Sequence, residues 1–183
     1  MKFVFAGDIH GSKYYCDLLL KRFEEEKADK LVLMGDLLYK DPQKEEPVDY
    51  DPEKVASALN AVSEKIIAVK GCTSPEKEKQ LLSFDTENAV VSLEDGGRSL
   101  FVSHGDVFNE KNPPAELKKG DVLLCGFTHV PLFIESMEFT FINPGSVSLP
   151  MENSIHGYVT YENNIFFWKD IENGQRRGQC TLR

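Results

Sequence analysis

Three short apolar runs in the first half of the chain, KFVFAG (2–7), LVLMG (31–35) and IIAVKG (66–71), each end in glycine and alternate with stretches of helical spacing. Runs this short read as strands, and apolar residues on both faces mark strands buried in a parallel sheet. Parallel neighbours need long crossovers, which the intervening segments supply. Over 13–28, Tyr15, Leu18, Leu19, Arg22 and Phe23 place bulk on one helical face, with Glu24, Glu25, Glu26 and Lys27 outside. Asp51-Pro52-Glu53 then offers an N-cap, a proline tolerated in the first turn and an early acid, ahead of Val55, Leu59 and Val62 on one face. The first half therefore predicts a βαβαβ unit.

The second half changes character. VVSL, RSLFVSHG, DVLLCGFTH, PLFIES, EFTFINPG, GYVTYE and IFFWKD follow one another, with turn chemistry at Asp95-Gly96-Gly97 and Asn163-Asn164. Hairpins are expected to dominate there. A βαβαβ half joined to a strand-rich half predicts an α/β fold of two β-sheets packed face to face and flanked by helices. The charged, proline-containing stretch 40–54 reads as a solvated surface loop, or as a flap beside Asp36.

Composition excludes some function classes. With 21 Lys+Arg against 30 Asp+Glu the formal charge is -9, which argues against a scaffold for nucleic acid held by counterion release. No apolar run approaches the roughly 20 residues of a membrane-spanning helix, and Asp8 interrupts the opening before a secretory apolar region develops. The expectation is a soluble, cytoplasmic protein. Cys16, Cys72, Cys125 and Cys180 contain no CxxC pair and read as reduced thiols.

The chemistry collects where strands end. GDIHG carries Asp8 and His10, GD after LVLM carries Asp36, SHGD carries His104 and Asp106, and GFTH carries His129. In open α/β sheets the carboxyl ends of the strands form the ligand crevice, so these side chains should converge. Imidazole and carboxylate together suit a divalent transition ion, with Mn first and Zn, Fe or Ni as alternatives, better than calcium. Two such ions roughly 3.5–4 Å apart can share a carboxylate, lower the pKa of a bound water and clamp a phosphate oxygen. Asp36 is the candidate shared ligand.

These motifs, in this order, together with NPGSVSLP at 143–150, resemble the calcineurin-like metallophosphoesterase superfamily and, within it, the small YfcE-type phosphodiesterases. The resemblance runs over nearly the whole chain and implies one αββα metallophosphoesterase domain over residues 1–183. It implies a first metal site of Asp8, His10, Asp36 and His129, and a second built on Asp36 and His104, with Asp36 and His104 also in catalytic roles. Two second-site ligands of the family are replaced here. Its asparagine falls on Cys72 with the accompanying acid on Ser74, and the first histidine of its G-H-x-H falls on Phe127, which has no lone pair to offer. The catalytic histidine of larger relatives falls on Thr73. Cys72, as a thiolate that would favour Zn, and Asp106 are the candidate substitutes. Asn143, Gly145 and Ser146 either present backbone N–H groups to an anionic substrate or form a tight corner between strands. His156 reads as a satisfied or surface histidine.

The resemblance thus implies a metal-dependent phosphodiesterase acting on small phosphodiesters, holding one or two ions and favouring good leaving groups because no protonated acid replaces the missing histidine. A monoesterase is not separated from it by sequence. The competing class is a degenerate relative that binds a protein partner, as the family's retromer scaffold subunit does. Relatives commonly form dimers, and exposed hairpin edges would suit a homodimer.

Overall fold

The computed structural model describes residues 1–40, 42 and 45–182, so three positions of the 40–54 insert and residue 183 lie outside the described residues. The elements run β1 (Phe3–Ala6), α1 (Lys13–Glu25), β2 (Lys30–Leu33), α2 (Pro52–Asn60), β3 (Ile66–Ala68), α3 (Pro75–Leu81), β4 (Val90–Asp95), β5 (Arg98–Ser103), β6 (Val122–Cys125), β7 (Leu132–Glu135), β8 (Thr140–Asn143), β9 (Gly157–Glu162), β10 (Ile165–Asp170) and β11 (Arg176–Thr181). They form two mixed sheets, ordered β11-β10-β9-β1-β2-β3 and β4-β5-β6-β8-β7.

Strand alternation sorts the core into layers. Val4 and Ala6 of β1, with Leu31 and Leu33 of β2, pack against Tyr15, Cys16, Leu19, Phe23, Val55 and Leu59 of α1 and α2. Phe3 and Phe5 point the other way and meet Leu100, Val102, Val122, Leu124 and Ile142 of the second sheet. A smaller cluster of Phe101, Leu123, Cys125 and Phe141 covers that sheet's far face, with Leu117 and Phe139 against it.

The first half follows its sequence pattern: β1 pairs in parallel with β2 and β2 with β3. The helix α1 stops at Glu25 because Lys27 turns left-handed at φ 52°. Asp51 caps α2 by accepting from the Lys54 N–H at 3.0 Å. Hairpins dominate the second half as expected, with β4–β5, β7–β8, β9–β10 and β10–β11 antiparallel neighbours in sequence, while β5 pairs with β6 and β6 with β8 in parallel. The insert's end is tied down rather than free. Ser12 donates its hydroxyl to the Val48 carbonyl at 2.5 Å, and the Asp51 N–H bonds Gly11 O at 2.8 Å. β7 lies at the rim of its sheet with Leu132, Phe133 and Ile134 exposed. Among the described residues no helix is long and apolar enough to cross a membrane.

Candidate metal centre

Parallel β1–β2–β3 and β5–β6 send the loops that follow them to the same end of the molecule. There the loops bind one another. The His10 N–H donates to Asp36 O at 2.9 Å, the Gly126 N–H donates to His104 O at 2.8 Å, and His104 Nδ1 lies 2.8 Å from Met34 O. Of twelve non-glycine residues with positive φ among those described, Asp8, His10, Asp36, Ser74, Phe127 and His129 belong to these loops. Left-handed backbone is costly for such side chains and concentrates where a surrounding structure enforces a site.

Asp8, His10 and His129 form a first buried group, their ligand atoms within 4.8 Å of one another. His10 Nδ1 sits 2.9 Å from Tyr39 O and His129 Nδ1 2.7 Å from Leu149 O. A carbonyl only accepts, so in both rings Nδ1 carries the proton and Nε2 is left with its lone pair. Burial pulls His10 down, outweighing the Asp8 carboxylate that pulls it up, so this imidazole stays neutral. The two Nε2 atoms nevertheless face each other at 3.2 Å, with Asp8 Oδ1 3.4 Å from that of His129. Lone pairs so opposed repel unless a cation lies between them. Both Asp8 oxygens are buried without a hydrogen-bond partner among the described residues, a state that a carboxylate sustains only beside a metal or another positive charge. Bonds of about 2.0–2.1 Å in tetrahedral array give edges of about 3.3 Å, so the donor set fits a divalent ion.

Asp36, Cys72 and His104 form the second group. Asp36 Oδ1 accepts from the Cys72 and Thr73 N–H groups at 2.8 and 2.7 Å, and Oδ2 accepts from Thr73 Oγ1 at 2.9 Å. Cys72 Sγ and His104 Nε2 each lie 3.5 Å from Oδ2. The latter spacing is electrostatic rather than a hydrogen bond, since His104 Nε2 has no hydrogen-bond partner among the described residues. Burial opposes charge on both members, yet in the metal-free protein their mutual attraction wins, holding Asp36 well below the usual carboxylate range and pushing His104 up to about 11. Gly71 makes the approach possible, because a Cβ there would lie 2.2 Å from Asp36 N and 2.4 Å from Asp36 Oδ1. We expect Gly71→Ala to cost about 1–3 kcal/mol in denaturant unfolding, as overpacking does, and to lower the number of metal ions bound in calorimetric titration.

The expected convergence is thus found, with differences. Asp36 groups with Cys72 and His104, not in one cluster with Asp8, His10 and His129. Phe127 stands beside His104, ring centroids 5.4 Å apart and nearly perpendicular. Asp106 is exposed and in neither group, because Gly105 at φ 117° turns the chain away after His104. Asn143, Gly145 and Ser146 sit in an internally hydrogen-bonded corner beside the Asp8 loop. Asn143 donates to Gly126 O and Thr128 Oγ1, the Gly145 N–H bonds Asn143 Oδ1, and Ser146 donates to Asp8 O at 2.8 Å. Their side chains hold the Gly126 and Asp8 loops. His156 is satisfied by Tyr15 and Val147.

One further residue escaped sequence reasoning. Glu78 of α3 is 1% exposed and accepts from the Leu38 N–H at 2.7 Å. It grips the loop whose Tyr39 carbonyl orients His10. In sequence it sits in the charged string PEKEKQ and looks like one more solvated acid.

Two packed mixed sheets carrying adjacent carboxylate and imidazole groups at their strand ends define a metallophosphoesterase. The chain belongs to the calcineurin-like phosphoesterase superfamily: that family's model, described as the Calcineurin-like phosphoesterase superfamily domain, matches residues 1–164. It is 38% identical over 165 residues to Phosphodiesterase YfcE of Escherichia coli strain K12, covering 90% of this chain and 89% of that protein. The solved structure of Yfce, a phosphoesterase from E. coli, superposes with a TM-score of 0.96 at 34% identity over 100% of both chains. Vps29 from Entamoeba histolytica, solved with zinc, shares the fold alone, at a TM-score of 0.64 and 16% identity over 100% of both chains. Membership implies a divalent metal.

Proposed function

We propose that this chain is a metal-dependent phosphodiesterase acting on small phosphodiesters. The observation that carries the reading is the buried Asp8 carboxylate, both oxygens without a hydrogen-bond partner among the described residues, grouped with His10 and His129 whose Nε2 atoms lie 3.2 Å apart. Its kinship with Phosphodiesterase YfcE supports the reaction class. A divalent ion, Mn first in our expectation, supplies Lewis-acid activation of water and of a phosphate oxygen. The protein's part is to hold the ligands. Asp8, His10 and His129 bind on one side, Asp36 and His104 on the other, and the Nδ1 contacts to Tyr39, Leu149 and Met34 fix each ring. Thr73, where larger relatives have a catalytic histidine, is engaged with Asp36 and has no proton poised for a leaving group. Phosphodiesters with acidic leaving alcohols are therefore the favoured substrates.

The test is hydrolysis of an activated aryl phosphodiester by metal-stripped protein resupplied with Mn, Zn or Ni, beside Asp36→Ala. Loss of several kcal/mol of transition-state stabilisation should reduce turnover by roughly 10²–10³-fold in the variant. Equal rates in both proteins, or rates independent of metal, would overturn the assignment.

A further inference from the structure

Cys72 stands at the mouth of the second group, exposed, with its sulfur turned inward to Asp36 Oδ2 at 3.5 Å. A thiol on its own carries no site. Here it faces His104, which is 1% exposed, whose Nδ1 contacts Met34 O and whose Nε2 has no hydrogen-bond partner among the described residues. Tetrahedral coordination with Zn–S of about 2.3 Å and Zn–O and Zn–N of about 2.0 Å requires S···O edges of about 3.5 Å and N···O edges of about 3.3 Å. The observed separations from Oδ2 are 3.5 Å to sulfur and 3.5 Å to nitrogen. Two edges of the triangle therefore match one coordination tetrahedron, and the third pair, Cys72 Sγ and His104 Nε2, lies within 4.8 Å.

We infer that Asp36, Cys72 and His104 form a three-ligand site for a thiophilic divalent ion such as zinc or cobalt, chemically distinct from the nitrogen and oxygen group of Asp8, His10 and His129. This rests on the metal-dependent reading above and deepens it. A thiolate is a soft donor, so it selects zinc or cobalt over manganese or magnesium. On binding, the ion takes the place of the thiol proton, which passes to solvent. Three protein ligands with one open position is the arrangement of catalytic zinc, whereas structural zinc is closed by four. Phe127 contributes no ligand, and its ring beside His104 borders the site without closing it. The protein then carries two unlike sites where a symmetric pair would take the same metal.

The experiment is titration of the metal-stripped full chain with Co²⁺, followed by absorbance and calorimetry, in the wild type, Cys72→Ser and Cys72→Asn. The expected result is two equivalents bound, with a near-ultraviolet thiolate-to-cobalt charge-transfer band that Zn²⁺ abolishes by displacement and Mn²⁺ does not. Both variants should lose the band and keep the visible d–d absorption of the first group. Cobalt binding without the band, or a band that survives in Cys72→Ser, overturns the inference while leaving a metal-dependent enzyme intact. No cobalt binding at all overturns both.

Discussion

Asp8→Asn is expected to raise the stability of the metal-free protein while removing its response to metal. The wild-type carboxylate is 0% exposed with neither oxygen hydrogen-bonded among the described residues, and His129 Nε2 lies 3.4 Å from Oδ1. A buried charge in that state costs the desolvation that no hydrogen bond returns. An amide removes the charge and can donate to the lone pair on His129, so unfolding in chelator should require about 1–3 kcal/mol more. At roughly 2–4 °C per kcal/mol for a chain of this size, the midpoint rises by about 2–12 °C. Saturating metal stabilises the wild type by linkage, about 2.7 kcal/mol at a hundredfold excess over Kd. In the variant that increment disappears for the first group. Thermal unfolding with and without metal measures both halves. A variant that is less stable in chelator and still gains stability from metal would mean that Asp8 is satisfied by the protein and is no ligand.

The strand ends that carry Asp8, His10, Asp36, His104 and His129 were readable because each follows an apolar run that could only be a buried strand. The crossover helices were readable from periodicity and from the Asp51 cap, which the structure uses as expected. What escaped has physical reasons. α3 buries only Glu78, so its face shows no apolar stripe. β11 is polar and half exposed at the sheet's edge, and RRGQCT lacks alternation. The parallel pairing of β5 with β6 runs through a crossover, 104–121, that has no helix, and so no period marked it. The division of ligands into two groups depends on bonds between loops far apart in sequence, as where Asp36 accepts from the Cys72 and Thr73 N–H groups. The bond that Ser146 makes to the Asp8 carbonyl, 138 residues away in sequence, leaves no mark in the local pattern NPGS.

Glu78→Ala is expected to damage stability and metal affinity together. Removing the carboxylate strands the buried Leu38 N–H, which now donates to it at 2.7 Å, at a cost of about 1–3 kcal/mol and more for a charged acceptor. The same loop supplies Tyr39 O to His10 Nδ1 at 2.9 Å. Loosening it misaims a ligand, and loss of such an outer partner typically lowers metal affinity 10–100-fold. Calorimetry well below the variant's unfolding midpoint separates the two effects, because a role confined to stability would leave the affinity of the folded protein unchanged. The charge on Glu78 adds a pH signature. Burial pushes its carboxyl up to about 7, against the Leu38 N–H that pulls it down, from an ordinary value of 4.5. Since the folded value is the higher one, the stability this group contributes is full below about 4.5 and is lost as pH rises through about 7. Glu78→Gln keeps an acceptor for Leu38 and cannot titrate. In chelator, the stability of the wild type relative to Glu78→Gln should therefore fall as pH rises from about 4.5 to 7. A difference that stays flat across that window would show that Glu78 is already ionised throughout, held by its backbone donors alone.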